Sequence, residues 1–374
     1  MNIALVAPIE ETVPPTKYGG TEWVAYHIAH QMGKKGHKVD VYAAGDSKQD
    51  NTYTLIPTVP QSIRTIPEYF KDLKLRESQK FITLTHITKL LMKKKYDIVH
   101  NHYGWRFLIF SDFIPSKIIT THHGPLSFPY QNAVYLDHKD QAHVSISNNQ
   151  RIDLPDLNYV ATIYNGIDLH LFPFVDGKIT RSSPIAFLAR MNHEKGALEA
   201  ATVAQTTKHP IRVAAKVDKI DEPYFEQFRP FIDNKLVFFE GEIDPVKRLN
   251  LLQNARCLLA PIKWEEPFGL MFIEAMSCGA PIITFARGSV PEIIKDGETG
   301  FIVNQSSELK RGEWITKKMG VDGLCEAVER IYSMPQDQYE TMRRACRACI
   351  EKKFTVEKMG EEYEKVYSRL LSSS

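Results

Sequence analysis

Short apolar runs alternate with longer, helix-length segments along the whole chain, and this alternation restricts the folds that the chain can adopt. The runs in the first part are NIALVA, KVDVYAA, DIVHNH, KIITTHH and HVSIS, and those in the second part are PIAFLA, IRVAAKV, KLVFFE, RCLLAP and PIITF. Near-continuous apolar strands of this kind predict a parallel sheet that helices cover on both faces. A chain of 374 residues is too long for one ordinary α/β domain. We therefore predict an α/β protein with two Rossmann-like, doubly wound domains.

The predicted boundary between the domains lies in residues 163–180, a segment with turn-forming glycine and proline that we interpret as a hinge. It places the N-terminal domain at residues 1–165 and the C-terminal domain at residues 166–356. The last segment, FTVEKMGEEYEKVYSRLL, has Met359, Tyr363 and either Val366 or Tyr367 at helical spacing. This pattern predicts an amphipathic terminal helix over residues 357–374.

Composition and charge argue against several classes of protein. The hydrophobic fraction of 43% and the charged fraction of 25% are those of a soluble globular protein, and a net charge of +2 gives no support for a nucleic-acid binder. The N-terminal MNIALVA reads as a strand without a basic leader, and no apolar run reaches the ~20 residues that cross a bilayer. We expect a cytoplasmic protein without a transmembrane segment. The basic run Lys93–Lys95 allows peripheral membrane contact, but a solvated helix end is favoured.

The five cysteines are few for a chain of this length, and their odd number argues against a disulfide framework. Cys346 and Cys349 have CxxC spacing, but they lie in a helical pattern and no second pair exists. We predict that both are packing residues of a helix, not redox or metal-binding groups.

The run EPFGLMFIE carries the most informative chemistry. Glu266 and Glu274 bracket it, and a helix is predicted over Phe268–Ser277, with Gly279 as its stop. The amides at the start of this helix can face an anion. They belong to Gly269, Leu270 and Met271. Such a site can hold a phosphate at the helix start, with a carboxylate on either side that accepts hydrogen bonds from hydroxyl groups. A sugar nucleotide has this order of groups. The alternative is an ordinary amphipathic helix whose glutamates only complement its dipole.

Two further stretches can meet a phosphate. Gly19 and Gly20 end the loop PPTKYGG, which is neither a GxGxxG nor a Walker loop. Arg190 follows the strand PIAFLA, with Lys195 and Gly196 shortly after it. These two cations can clamp a diphosphate, although an ordinary charged loop is the alternative.

Four histidines are predicted at the carboxyl edge of the first sheet, where ligands usually bind. His100 and His102 end one strand, and His122 and His123 end the next. We favour hydrogen-bonding roles over a metal site, because zinc needs a closed set of ligands.

Six motifs in a fixed order resemble those of the retaining glycosyltransferases of family 4. They are TTHHG, NGID, ARMNHEKG, FFEGEI, EPFGLMFIEAMSCGAPII and GSVPEIIKDGETGFIV. The resemblance covers nearly the whole chain and implies the GT-B architecture, in which two Rossmann-like domains face each other across a cleft. It also implies that the terminal helix packs on the first domain.

The resemblance implies specific roles for individual residues. Arg190 and Lys195 match the diphosphate-binding pair, Glu266 the glutamate that touches the donor sugar, and Glu274 the one that holds the ribose hydroxyls. His123, and not His122, matches the histidine that faces the sugar and its transition state, so Glu266 and His123 are the predicted catalytic residues.

The remaining residues of the predicted donor site match the loops and amides around the nucleotide. Gly19 and Gly20 match the glycine loop over the phosphate, and Val217 and Ile243 the residues that frame the nucleobase. The predicted donor site is completed near the sugar and phosphate by the backbone of Phe268, Gly269, Leu270 and Met271. The chain departs from the family at Ala214–Lys216, where a glycine is common, which puts the geometry around the base in doubt.

These observations predict a retaining hexosyltransferase that moves a sugar from a nucleoside diphosphate sugar to an acceptor hydroxyl. No two aspartates are separated by a single residue, so a DxD metal site is absent from the sequence; we predict no metal and no cofactor, with Arg190, Lys195 and backbone amides meeting the diphosphate charge. A UDP-sugar is preferred over a GDP-sugar. The acceptor is not identified, and Asp50–Arg76 is either a mobile acceptor-side loop or a plain surface excursion.

Three alternatives remain open. The first is a nucleotide-sugar epimerase of the same architecture, and the second is a non-catalytic sugar-nucleotide-binding protein. A nicotinamide-dependent dehydrogenase is the third, and the missing GxGxxG motif disfavours it.

Overall fold

A computed structural model describes residues 1–16, 19–177 and 179–372, so Lys17 and Tyr18 of the loop PPTKYGG lie outside the described residues. The chain forms two compact units. One comprises Met1–Gly166 together with Val356–Ser374, and the other comprises Ile167–Thr355.

The N-terminal unit is built on a parallel sheet. Its described part has seven strands in the order β3-β2-β1-β4-β5-β6-β7. The strands are β1 (Asn2–Val6), β2 (Lys38–Ala44), β3 (Thr54–Val59), β4 (Ile98–Asn101), β5 (Lys117–Thr121), β6 (Ala142–Ser145) and β7 (Tyr159–Thr162). The helices between them are α1 (Gly20–Lys34), α2 (Glu68–Lys71), α3 (Leu73–Leu91), α4 (Trp105–Leu108) and α5 (Pro129–Asp137). Short 3₁₀ turns lie at Ile63–Thr65, Ser111–Phe113 and Asn149–Asp153.

The structure corrects the interpretation of Asp50–Arg76 as a loop or surface excursion. This stretch contains the edge strand β3, then a 3₁₀ turn, α2 and the start of α3. Pro57 interrupts the apolar pattern of β3, and an edge strand tolerates proline because one of its sides needs no ladder bond. The short strand β7 was also missed, and it forms the opposite edge of the sheet.

The C-terminal unit is a second parallel α/β layer structure. Across the residues that the structure covers here, six strands follow the order β10-β9-β8-β11-β12-β13. They are β8 (Ile185–Arg190), β9 (Ile211–Lys216), β10 (Val237–Gly241), β11 (Cys257–Ala260), β12 (Ile282–Phe285) and β13 (Gly300–Val303). The helices are α6 (Ala197–Thr207), α7 (Glu222–Phe228), α8 (Pro245–Asn254), α9 (Leu270–Ser277), α10 (Val290–Ile293), α11 (Gly320–Ser333) and α12 (Gln336–Lys353). Further 3₁₀ turns lie at His193–Lys195, Lys219–Asp221 and Arg229–Phe231.

The last helix, α13 (Val356–Ser372), returns to the N-terminal unit and packs against α1. Its residues Met359, Tyr363, Val366 and Tyr367 are all buried, as the helical spacing predicts. The Tyr367 hydroxyl lies 2.6 Å from Nδ1 of His100, which ties this helix to the end of β4.

The five cysteines, each of them a described residue, are free thiols. Cys346 and Cys349 are buried on α12, so the prediction that they are packing residues is confirmed. None of the helices in the described ranges is long and apolar enough to span a membrane.

Each sheet has one point where the strand order reverses. In the N-terminal unit the reversal lies between β1 and β4, and in the C-terminal unit it lies between β8 and β11. Ligands of doubly wound folds bind outside the carboxyl ends of the strands at such a point. The loops that follow these four strands are therefore the first places to look for a site.

Candidate functional site

The loops after β8 and β11 bring Lys195 and Glu266 together in the C-terminal unit. The Lys195 ammonium contacts Oε2 of Glu266, and each residue is only 8% exposed. Nε1 of Trp264 donates to the same carboxylate oxygen at 3.0 Å, and its ring centre lies 4.7 Å from the Lys195 nitrogen. A carboxylate and a cation are thus buried together at the point where the strand order reverses.

Gly196 allows these two loops to approach closely. Its φ of 76° is in the left-handed region, and a Cβ at this position would lie 2.2 Å from the carbonyl oxygen of Pro261. Next to it, the amide of Lys263 donates to the carbonyl of Glu194 at 2.8 Å. Only glycine fits this backbone conformation without a clash, and the close approach places Lys195 against the loop that carries Glu266.

A glycine leads into the start of α9. Gly269 precedes the helix with a φ of 84°, and a Cβ there would lie 2.6 Å from the Phe272 ring. Within the part of the chain that the structure describes, no side chain caps this helix. The first amides of a helix carry partial positive charge and need acceptors, so those of Leu270 and Met271 can bind an anion.

A second layer of contacts fixes the loop that carries Glu266. The neighbouring Glu265 accepts from Arg287 at 2.9 Å, from Arg311 at 2.7 Å and from the amide of Gly288 at 2.7 Å. The amide of Ser289 donates to the carbonyl of Glu266 at 2.9 Å. Sequence reasoning missed Glu265, Arg287 and Arg311, and it gave no role to Gly288 and Ser289, which begin the motif GSVPEIIKDGETGFIV.

Glu274 has a cationic partner that sequence reasoning also missed. Nη1 of Arg248, on α8, lies 3.2 Å from Oε1 of Glu274, which is 7% exposed. The Arg248 guanidinium also lies 5.7 Å from the ring centre of Phe172. No sequence signal could have paired Arg248 with Glu274, because the two residues lie 26 positions apart on different helices.

Arg190 is the last residue of β8, and its Nε is buried without a hydrogen-bond partner among the described residues. Burial raises the pKa of Asp221, and the positive charge of Arg190 opposes that rise, so the two side chains lie near each other. A buried donor without a partner costs free energy unless a ligand satisfies it. Val217 and Ile243 follow β9 and β10, which are neighbouring strands of the same sheet.

The ring of Phe268 packs in the interior of the C-terminal unit. The residue is 2% exposed, and its ring centre lies 5.9 Å from that of Phe354. Its carbonyl accepts from the Ser289 hydroxyl at 2.8 Å. Phe268 therefore supports the loop through packing and its backbone, and its side chain is not available to a donor.

In the N-terminal unit, His102 and His123 pair at the carboxyl ends of β4 and β5. Nδ1 of His102 lies 2.8 Å from Nε2 of His123, and Nε2 of His102 is buried without a partner in the described ranges. Burial lowers the pKa of His123 to about 3, and it holds the pKa of His102 well below its usual value. Both imidazoles are therefore neutral at pH 7, and His123 acts as a hydrogen-bonding group, not as a cation.

His122 is directed into a different environment. It is 2% exposed, and its Nε2 lies 3.1 Å from Nδ1 of His143, whose own Nε2 donates to the carbonyl of His138 at 3.0 Å. Because His143 carries its proton on Nε2, His122 must donate from its Nε2. The structure thus gives His122 a packing role, and His123 is the more accessible of these two neighbouring histidines.

Gly19 and Gly20 lie at the start of α1. A Cβ on Gly19 would meet Pro15 at 2.7 Å and Oε2 of Glu22 at 3.1 Å. Glu22 is 5% exposed, and burial raises its pKa to about 8. A carboxyl group that is protonated at neutral pH therefore lies directly behind the glycine pair.

The described ranges contain no group of three or more His, Cys, Asp or Glu side chains that could hold a metal ion.

Two family models match consecutive parts of the chain. The model described as Glycosyltransferase Family 4 matches residues 18–171, and the model described as Glycosyl transferases group 1 matches residues 173–315. The two matches cover every described strand except β1 (Asn2–Val6), and both models describe glycosyl transfer.

Similar proteins and structures agree with these matches. N-acetyl-alpha-D-glucosaminyl L-malate synthase of Bacillus anthracis is 25% identical over 371 residues, which span 87% of this chain and 93% of that protein. Sucrose-phosphate synthase of Thermosynechococcus elongatus is 17% identical, with a TM-score of 0.78 and coverage of 100% of both chains. The Anabaena protein HepE, solved in complex with UDP-glucose, is 15% identical, with a TM-score of 0.71 and coverage of 100% of both chains.

The likeness to these structures confirms the predicted fold class of two Rossmann-like α/β domains with the GT-B architecture. The epimerase and the non-catalytic binding protein that the sequence left open are not favoured by the family models or by the relatives. The chain is therefore a glycosyltransferase with the GT-B architecture.

Proposed function

We propose that the chain transfers a hexosyl unit from a nucleoside diphosphate sugar, with UDP as the preferred nucleotide, to an acceptor hydroxyl, with retained anomeric configuration and without a metal ion. The observation that carries this proposal is the buried contact between Lys195 and Glu266 beside the uncapped start of α9. It puts a cation, a carboxylate and free amides at the reversal point of one sheet, which is the set of groups that a sugar diphosphate requires.

The positive groups of this site fit the leaving diphosphate. Negative charge grows on the phosphate oxygen as the bond to the sugar breaks. The Lys195 ammonium, the Arg190 guanidinium with its unpartnered Nε and the α9 amides stabilise that charge more in the transition state than in the ground state. They supply this stabilisation from the chain itself, which is the basis for proposing a reaction without a metal ion.

The reaction balances without any further reagent. The bond between the anomeric carbon and the phosphate oxygen breaks, and the bond between the anomeric carbon and the acceptor oxygen forms on the same face. The acceptor proton passes to the leaving phosphate oxygen. Glu266 orients the sugar hydroxyls, Glu274 holds the ribose hydroxyls, and His123 supports the sugar as a neutral hydrogen-bonding group.

Two of the similar proteins support parts of this proposal. HepE is solved with UDP-glucose, which favours a UDP-hexose donor here. The relative from Bacillus anthracis is named for joining a glucosaminyl unit to L-malate, which favours a small hydroxylated acceptor. The retained configuration rests on the resemblance of the six motifs to the retaining glycosyltransferases of family 4.

Nucleotide binding by the full chain is the first test. We expect UDP to raise the melting temperature more than GDP or ADP does, and Arg190→Met to abolish the shift. Arg212→Met is the matched control, because Arg212 lies on β9, pairs with Glu240 at 2.7 Å and is about half exposed. Equal shifts in the wild type and in Arg190→Met would remove the diphosphate clamp from the proposal.

Product analysis is the second test. With a UDP-hexose and a panel of acceptors, in the presence of EDTA, we expect a glycoside whose anomeric configuration, measured by NMR, equals that of the donor. An inverted product would contradict retention, and loss of turnover in EDTA would contradict metal independence. Conversion of the donor sugar in the absence of any acceptor would indicate an epimerase instead.

A further inference from the structure

The end of β4 carries a histidine to which the proposed reaction gives no role. His102 directly follows the strand, and its amide donates to the carbonyl of Val6 on the neighbouring β1 at 2.9 Å. The residue is only 3% exposed. Its Nδ1 lies 2.8 Å from Nε2 of His123, and the two ring centres lie 5.0 Å apart. His102 therefore contacts the histidine to which we assign the sugar, while it is itself too buried to meet a substrate.

The ring of His102 packs against a second buried histidine, His100. Their ring centres lie 3.9 Å apart. His100 is held at both of its nitrogens, because Nδ1 lies 2.6 Å from the Tyr367 hydroxyl and Nε2 lies 2.8 Å from Oγ1 of Thr121. All four of these residues are buried. A ring that packs against a fixed neighbour keeps its own orientation, so His102 holds Nδ1 towards His123.

The surroundings of His102 indicate which of its nitrogens carries the proton. Burial holds the pKa of His102 well below its usual value, so the ring is neutral at pH 7 and has one N–H donor and one bare nitrogen. Its Nε2 is buried without a partner in the part of the chain that the structure describes. Buried N–H groups without an acceptor are rarer than buried acceptors without a donor. The proton therefore belongs on Nδ1, from which it is donated to Nε2 of His123.

His122 shows the same distribution of protons in the same unit. It donates from Nε2 to His143, so its Nδ1 is a bare nitrogen. That Nδ1 is also its one buried atom without a partner among the described residues. In His122, as in His102, the unpartnered nitrogen is thus the one without a proton.

A hydrogen bond received at Nε2 fixes the tautomer of His123. Burial lowers the pKa of His123 to about 3, so this ring is also neutral at pH 7 and has a single proton. Since Nε2 accepts from His102, that proton is on Nδ1. The hydrogen bond to His102 is the one that the described residues make to the His123 side chain, and the residue is partly exposed. The N–H group at Nδ1 is therefore left for a ligand.

We propose that His102 is a positioning residue for glycosyl transfer, which fixes His123 in the Nδ1–H tautomer so that His123 meets a sugar hydroxyl as a hydrogen-bond donor. A bare nitrogen at the same place could withdraw a proton from that hydroxyl as a general base, whereas an N–H group holds the hydroxyl oxygen and leaves its proton in place. This inference rests on the proposed function in assigning a sugar to His123, but the two tautomers do not depend on it.

Nitrogen NMR of the unliganded full chain tests the tautomers directly. In protein that contains isotopically labelled histidine, long-range proton–nitrogen correlations distinguish a protonated ring nitrogen from a bare one. The spectra of His102→Asn and His123→Gln assign the two rings. We expect both rings to carry their proton on Nδ1. A His123 ring that carries its proton on Nε2 would overturn the proposal.

His102→Asn and His102→Gln separate the hydrogen bond from packing. The amide group of asparagine reaches the place of Nδ1 and can donate to His123, whereas the longer glutamine places its amide near Nε2. We expect kcat to fall at least about tenfold in His102→Gln and less than about threefold in His102→Asn, because only the former loses the donor. UDP affinity, measured by calorimetry, should stay unchanged in both. An equal loss of kcat in the two folded variants would refute the role of His102.

His122→Gln is the matched control, because glutamine can donate from the place of Nε2, as His122 does to His143 at 3.1 Å. We expect this variant to keep its melting temperature and its kcat. A loss of kcat as large as that in His102→Gln would show that any change among these buried histidines disturbs the strand ends, and it would contradict a specific role for His102.

The two measurements separate this inference from the proposed function. If both rings carry their proton on Nδ1 but no nucleotide sugar is turned over, the control of His123 by His102 stands and the proposed reaction is wrong. If a hexosyl unit is transferred but His102→Asn loses as much activity as His102→Gln, the proposed reaction stands and the role of His102 is wrong.

Discussion

The ammonium of Lys195 contacts the carboxylate of Glu266, 71 residues further along the chain, and both groups are buried at the reversal point of the C-terminal sheet. Without a donor the two charges neutralise each other. In the proposed reaction, a diphosphate next to the α9 amides would offer Lys195 a second anionic partner and would leave Glu266 able to accept from sugar hydroxyls. The pair thus keeps each charge compensated until the substrate arrives.

Removal of one charge from this pair should affect stability and activity differently from removal of both. Lys195→Met leaves Glu266 buried without its cation, which should cost about 3–5 kcal/mol of unfolding free energy. It should also lower kcat by about 10²–10³-fold, because a charge that stabilises the leaving group is lost. Urea unfolding and steady-state kinetics measure the two effects.

The double variant Lys195→Met with Glu266→Gln is the control for this prediction. It removes both charges, so most of the lost stability should return while kcat stays low. A double variant that recovers activity along with stability would show that Lys195 serves only the fold.

Arg248 is expected to position Glu274 for the nucleotide. Arg248→Met should raise KM for the nucleotide sugar about tenfold, which equals about 1.4 kcal/mol, with little change in kcat. The reason is that Glu274 loses the cation 3.2 Å away that fixes its carboxylate. Arg248→Lys should restore part of the affinity. A fall in kcat with an unchanged KM would contradict a role in nucleotide binding.

Because of Glu22, the N-terminal unit is expected to lose stability as the pH rises. Its pKa is about 8 in the folded chain against 4.5 for an unburied glutamate, so the folded state binds the proton more tightly. The stabilisation is complete below about pH 4.5 and is lost as pH rises through about 8, by up to ~1.4 kcal/mol per pH unit. Glu22→Gln should therefore stabilise the protein more at pH 8 than at pH 5 in urea unfolding experiments.

Glu357→Gln, at an exposed position of α13 in the same unit, is the matched control for Glu22→Gln. It should change stability little and equally at both pH values. A gain at pH 5 as large as that at pH 8 would rule out the protonation of Glu22 as the cause.

His123 has the opposite effect, because the stability that it contributes is expected to be lost as the pH falls. Burial lowers the pKa of His123 from 6.5 to about 3, so the unfolded chain takes up a proton that the folded chain excludes. This stability is present above about pH 6.5 and is lost as pH falls towards 3. His123→Gln should make acid unfolding less steep. It should also lower kcat without shifting any inflection of the rate profile between about pH 6 and about pH 8, since His123 is neutral throughout that range.

Gly196→Ala should disrupt the approach of the two donor-side loops. A left-handed alanine costs about 1–2 kcal/mol, and the clash with the Pro261 carbonyl adds to that cost and displaces Lys195. Gly177→Ala is the matched control, because Gly177 has a similar φ of 73° but nothing within 4 Å of its Cβ position. We expect both variants to lose stability and only Gly196→Ala to lose nucleotide affinity, measured by thermal shift with UDP.

Local patterns of apolar residues predicted most of the strands and the last helix. Continuous apolar runs marked ten of the described strands, and the spacing of Met359, Tyr363 and Tyr367 marked the last helix. The strands β3, β7 and β13 escaped notice; Pro57 interrupts the first, and all three lie at the edges of their sheets. Edge strands need less apolar sequence than central ones, so their pattern is weaker.

Local sequence patterns are enough to predict the alternation of strands and helices, the glycine before α9 and the charged residues at the strand ends, since these features depend on neighbours within a few positions. Which of these charged groups pair depends on the tertiary structure, which brings Lys195 to Glu266 and Arg248 to Glu274. Parallel strands place the ends of distant segments side by side, and burial then forces each charge to find a partner, whereas sequence distance carries no information about either step.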